Sequence, residues 1–203
     1  ASKIALFSIA DYAWNMDAYK SDASWRRAVR YLMPGHAAAL QVFASHNSDL
    51  GGNEHDFRRE ESEQIRPALE RLLDAYCREG KREVAAASAV TEECERMIAS
   101  ADLLLASDEN PALIKEITPW LMQFKLLGEY GREVLCMLAA QCDGKKTELE
   151  KAASHAKALQ VLMKKIDATY NQNGFQPGVK TGSCHLKPAF DRLYQEVVQR
   201  TGK

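Results

Sequence analysis

VAAASAVTEECERMIASADLLLASDENPALIKEITPWLMQFKLLGEYGREVLCMLAAQCDG, residues 84–144, is the stretch whose reading decides the fold. Between Val84 and Leu105 the residues Val84, Ala87, Thr91, Cys94, Ile98, Ala101 and Leu105 recur at alternating spacings of three and four, which places them on one face of a helix. A second series follows in Leu113, Ile117, Trp120, Phe124, Leu127, Gly131, Val134 and Leu138. Asn110 before Pro111 supplies an N-cap and a first-turn proline, so the second helix is expected to start there. Pro119 interrupts the pattern by removing one backbone donor and predicts a kink near Ile117; Asp143-Gly144 is expected to end the helix.

Outward from this pair the period persists. Thr147 and Glu150 have the spacing of a capping box and open a third series through Leu149, Ala152, Ala156, Leu159, Met163, Ile166 and Tyr170. Upstream, Ile65, Leu69, Leu72, Leu73 and Tyr76 share a face that stops at Gly80. Four helices from about Glu63 to Gln172, joined by short polar connections, can close an antiparallel bundle. Asn171 to His185 is rich in Gly, Asn and Pro and reads as a long loop, after which Leu186, Phe190, Leu193 and Val197 mark a last helix. No run alternates with period two, so the expected class is all-α.

The first 58 residues read differently. Ile4 to Trp14 is apolar nearly all round, as expected of a segment buried on several sides. Ser21 or Asp22 is expected to cap a helix through Trp25, Val29 and Leu32 that stops near Pro34, and a short helix follows from about Ala37 to Ala44. His46 to Arg59 is polar and contains glycine, which sets a boundary between a unit of residues 1–58 and one of residues 59–203.

Lys and Arg number 27 against 28 Asp and Glu, a net charge of −1 that argues against nucleic acid and anionic membranes as partners. No apolar run approaches the roughly 20 residues that span a bilayer. Cys77, Cys94, Cys136, Cys142 and Cys184 show no CxxC spacing and lie mostly inside apolar helical patterns, which reads as buried free thiols. There is no phosphate-binding glycine loop, no nucleophile elbow and no metal-spaced His/Cys cluster, so no cofactor and no metal are expected. Gly128 to Gly131 sits on a helical face as a packing site; Glu60, Glu61 and Glu63 read as the charged first turn of a helix. By periodicity alone the chain is a helical interaction or support module with no catalytic residues of its own.

Three motifs in the first unit carry a resemblance: Ala10-Asp11-Tyr12-Ala13-Trp14-Asn15, Ser24-Trp25 at the next helix, and His46-Asn47-Ser48. This text closely resembles the stretch after the last barrel strand in family 84 glycoside hydrolases, the bacterial O-GlcNAcase and hyaluronidase-like β-N-acetylglucosaminidases. The helical pattern behind it and the loop Gln176 to Lys180 are similar to the bundle that follows the barrel in that family. The resemblance implies an antiparallel helical bundle preceded by the last helical segment of a (β/α)8 barrel, with Ala1 inside the final barrel helix. It implies substrate-assisted retaining hydrolysis in the parent protein, where the sugar's 2-acetamido carbonyl attacks the anomeric carbon and two neighbouring aspartates assist. No two aspartates are adjacent in this chain, so the resemblance assigns the catalytic pair to barrel loops that precede it.

The resemblance further implies that the loop Gly51 to Arg59 returns to the barrel rim, which makes His55 and Asn53 candidates for contact with the aglycone side of a bound sugar. The implied partners are an upstream barrel segment and, through the parent enzyme, a glycoprotein or glycan bearing N-acetylglucosamine. An exported bacterial protein, periplasmic or secreted, is the compartment it favours. The alternative is a non-catalytic helical module for protein interaction or dimerisation as a homodimer.

Overall fold

The computed structural model describes residues 3–14, 16–46, 71–72, 84–142, 146–172 and 187–201. Seven α-helices, one 3-10 turn and the helical pair 71–72 account for their regular structure, and no strand occurs among them. In chain order these are α1 (Lys3–Trp14), the 3-10 turn Met16–Ala18, α2 (Ser21–Leu32), α3 (Ala37–His46), α4 (Val84–Leu105), α5 (Pro111–Cys142), α6 (Lys146–Gln172) and α7 (Lys187–Thr201). The all-α reading holds. The boundary at residues 58 and 59, the expected helix through Ile65 and Tyr76 apart from residues 71–72, and the loop through Gln176 to Lys180 lie outside the described residues.

α5 is the axle of the bundle, with α4 and α6 its main neighbours and α7 a lesser one. Lys125 to Asp102 (2.6 Å) and Arg132 to Glu95 (3.5 Å) link α5 to α4. Seven residues forward on one helix correspond to seven back on the other, which is an antiparallel pair. His155 Nδ1 lies 2.7 Å from Glu133 Oε2 and joins α6 to α5. The buried stripe of α4 is Ala87, Val90, Cys94, Met97, Ala101 and Leu104. Thr91, Ile98 and Leu105, expected inside, are only half-buried. The helix is turned by a fraction of a step because α3 covers one flank and α5 the other, and the larger Val90, Met97 and Leu104 fill the space between them.

α5 starts where expected. Asn110 Oδ1 accepts the Leu113 amide at 3.2 Å, satisfying one of the orphan donors of the first turn. Pro119 does not end the helix, which runs through it as one 32-residue element. Its flanking turns are held by burial of Ile117, Leu121 and Phe124, so packing outweighs the one lost backbone bond. α6 begins at Lys146, one residue before Thr147, and reaches Gln172, into the segment expected to be loop.

Gly128 and Gly131 bring α5 against its neighbours. A Cβ at Gly128 would stand 2.9 Å from the Cys94 carbonyl oxygen and 3.0 Å from Ile98 Cγ1. At Gly131 it would stand 2.5 Å from Phe190 Cζ and 2.6 Å from Cys94 Sγ. The packing role read from the sequence is thus a three-helix contact of α4, α5 and α7. Beside it, Tyr130 is fully buried, meets Phe190 edge to face at 6.1 Å between centroids, and donates its hydroxyl to Asp191 Oδ1 at 2.6 Å. Cys94 is buried and free, while Cys136 is exposed, contrary to the expectation of buried thiols: it sits on the outer face of α5, between the buried stripes. Burial, aided by Glu93 and Glu95, pushes the Cys94 thiol up to about 12.

The core is continuous from α2 to α7. Ala28, Val29 and Met33 of α2 and its end, with Leu40, Phe43 and Ala44 of α3, join the same cluster as the bundle residues. Phe43 and Phe124 meet edge to face at 5.4 Å.

Candidate functional site

Two features stand apart from the core: an apolar surface on α1 and a polar joint that ties the α2–α3 corner to the bundle. α1 packs chiefly on α2. Ile9 is 63% exposed, Trp14 92% and Met16 63%, with Tyr12 at 49%. The sequence predicted burial of Ile4 to Trp14 on several sides; of these, the side chains of Ile4 to Ser8 lie outside the described ones, and those of Ile9 to Trp14 are exposed apart from half-buried Asp11. Tyr12, Ile9 and Trp14 are spread over about half the circumference of α1, and Met16 follows in the 3-10 turn; so many large apolar side chains exposed in one short segment is the usual mark of an interaction site. Tyr12 and Tyr19 are edge to face at 5.2 Å, which fixes the chain's turn out of α1. Tyr31 on α2 is likewise 75% exposed.

α1 is held to α2 by a carboxylate. Asp11 accepts hydrogen bonds from Ser24 and Arg27, and these partners draw its carboxyl below the usual carboxylate range. Ser24 is fully buried under this contact. The first residues of α2 do not supply its cap: Lys20 stands at the N-cap position with an extended backbone and no side-chain cap bond. Ser21 and Asp22, expected as caps, lie within the first turn instead.

The joint is built from residues 71 to 78 positions apart in sequence. Glu109, in the turn between α4 and α5, accepts the Gly35 amide at 2.7 Å and faces His36 Nδ1 at 3.0 Å. Both partners hold its carboxyl below the usual range, the Gly35 amide first. Ser107 Oγ lies 3.3 Å from His36 Nδ1 and accepts the Glu109 amide at 3.2 Å. Asn110, besides capping α5, donates its Nδ2 to the Leu32 carbonyl at 3.1 Å, satisfying an orphan acceptor at the end of α2. Sequence reading found Asn110 as a cap but not its second bond, and it did not single out His36. Only the polar run Ser107-Asp108-Glu109-Asn110 before Pro111 signalled a turn there, and nothing in it named the partner.

His55 and Asn53 lie outside the described residues, as do Glu60, Glu61 and Glu63. Among the described residues no group of three or more His, Cys, Asp or Glu is placed to hold a metal ion. No described helix is long and apolar enough to cross a membrane.

Comparison with known proteins matches both parts of the chain. Residues 61–194 match the family model of the bacterial GH84 post-catalytic domain, and residues 1–45 match the model of β-N-acetylglucosaminidase. The solved structure of CpGH84B superposes with a TM-score of 0.75 at 20% identity, covering 94% of this chain and 31% of that one. CpGH84D gives 0.73 at 24% identity, covering 97% and 32%. At these identities the likeness is one of fold, and the chain spans about a third of the length of either structure.

Proposed function

Since the chain belongs to family 84 of the glycoside hydrolases and carries the post-catalytic helical domain of its bacterial members, we propose that it is the supporting portion of a β-N-acetylglucosaminidase. In this reading catalysis belongs to a barrel that the chain itself does not hold, and the isolated chain is inactive. The observation that carries the proposal is the apolar surface of Ile9, Tyr12, Trp14 and Met16, which falls inside the segment matched to the β-N-acetylglucosaminidase model.

That surface is the seat for the barrel. Fully burying a large apolar side chain from complete exposure is worth roughly 1.5–3 kcal/mol; Ile9, Tyr12 and Met16 are already partly covered and contribute a fraction of that each, and Trp14, 92% exposed, the most. The polar joint at Glu109 then connects the seat to the bundle, which leaves the bundle's outer faces for contacts with the glycoprotein or glycan that the barrel cleaves. Within the same reading His55 and Asn53 reach the aglycone side of the sugar. Their replacement by Ala should raise KM for a glycopeptide more than for an aryl glycoside.

The test is hydrolysis of a chromogenic β-N-acetylglucosaminide by the 203-residue chain, beside a form extended upstream through a barrel. Cleavage by the long form alone, lost or weakened in its Ile9→Ser/Trp14→Ser variant, is the expected result. Turnover by the short chain, or an extended form with no hexosaminidase activity, refutes the proposal.

A further inference from the structure

Polar contacts connect α1, through α2, to the turn between α4 and α5. At one end Ser24 and Arg27 of α2 hold Asp11 of α1. At the other, the carbonyl of Leu32 accepts from Asn110 at 3.1 Å, and Gly35 and His36 meet Glu109 at 2.7 and 3.0 Å. The bundle side of this joint is itself braced, by Ser107 Oγ on the Glu109 amide at 3.2 Å and by the Asn110 cap on Leu113 at 3.2 Å. The Glu109 carboxylate sits directly over Gly35, where an added Cβ would stand 3.3 Å from its Oε1. Beneath the joint Phe43 and Phe124 meet edge to face in the core, and at its surface the hydrogen bonds add fixed distances and angles of their own.

We infer that Glu109 is a positioning residue: by gripping the Gly35 amide and the His36 ring together it sets the angle at which α2, and α1 carried on α2, stands from the bundle. Its target is the orientation of the face bearing Ile9, Tyr12 and Trp14. The consequence for an attached barrel rests on the proposed function, but the angle of α1 to the bundle does not, and it is measurable in this chain alone.

The experiment places nitroxide labels, through ketone-bearing residues that leave the native cysteines untouched, at Ala10 and Lys115, both exposed, and measures their distance distribution by pulsed dipolar spectroscopy. A second pair at Ala99 and Lys164, also exposed, reports on α4 and α6 within the bundle. Glu109→Ala should shift and broaden the distribution of the first pair and leave the second pair unchanged. Glu109→Gln, which keeps an acceptor for Gly35, should restore part of it. His36→Ala, which removes one of the two groups Glu109 grips, should broaden the first pair in part and serves if Glu109→Ala does not fold; Asp11→Ala removes the acceptor for Ser24 and Arg27 at the other end of the line and should broaden it as well. A first pair that keeps its distribution in the variants overturns the inference, because apolar packing then sets the angle alone. Equal broadening of both pairs also overturns it, since the loss is then a general loosening of the bundle.

Discussion

Substituting Gly131 by Ala pits two effects of known size against each other. In an open helix interior, Gly→Ala stabilises by roughly 0.8–1.0 kcal/mol, because Ala loses less backbone freedom on folding. Here the new methyl group would stand 2.5 Å from Phe190 Cζ and 2.6 Å from Cys94 Sγ, so α7, α4 or both must yield by about 1 Å to restore ordinary contact. Phe190 is fully buried and Cys94 is 1% exposed, so neither has open space to move into. Overpacking of this kind costs typically 1–3 kcal/mol. With both neighbours buried the steric loss wins, and after the propensity gain is subtracted the net expectation is a destabilisation of up to about 2 kcal/mol, or up to roughly 8 °C in Tm for a chain of this length. Equilibrium urea unfolding followed by helical circular dichroism measures it. Ala89→Gly on the exposed face of α4 isolates the propensity effect, with an expected loss of about 1 kcal/mol. Phe190→Leu removes the obstructing ring atom, so it should cost less in the Gly131→Ala background than alone. A Gly131→Ala protein as stable as the parent, or more so, refutes the close approach of α4, α5 and α7 at this position.

Three further outcomes follow from named contacts. Tyr130→Phe removes the hydroxyl that donates to Asp191 and should cost about 1–2 kcal/mol in urea unfolding, without changing helical content. Native-state alkylation with peptide mapping should modify Cys136, exposed but with its thiol raised by partial burial and Glu133, ahead of Cys94, which is buried with its thiol pushed up to about 12 and should react only after unfolding; early labelling of Cys94 counts against the buried site. Glu109 titrates below the usual carboxylate range in the folded chain, so its contribution to stability is complete above the unfolded carboxylate value and is lost as pH falls through the lower folded one. The stability difference between parent and Glu109→Gln should therefore shrink on acidification below about pH 4. A difference that grows on acidification contradicts the sign.

The helical class, the start of α5 at Asn110 and Pro111, and the close-packed glycines at 128 and 131 were legible because each depends on spacing along one chain. Periodicity needs no knowledge of the partner: any helix that buries a stripe must repeat every three to four residues. The same reasoning placed the stripe of α4 a fraction of a turn away, at Thr91, Ile98 and Leu105, since the sequence names apolar positions and not the directions from which α3 and α5 approach. It also read Ile4 to Trp14 as buried, whereas Ile9, Tyr12 and Trp14 stand at the surface. Composition records that a segment is apolar but not what covers it.

By itself the sequence determined that the described residues form amphipathic helices, that α5 begins at Pro111 behind Asn110, and which family text the first and later segments carry. Only the tertiary structure decided that Glu109 meets Gly35 and His36, that α2 and α3 share one core with the bundle, and that a face of α1 is left uncovered. The physical reason is range. Helix periods and caps are written within a few residues, whereas the joint pairs groups more than 70 positions apart, through hydrogen bonds that exist only after the apolar core has brought two turns together.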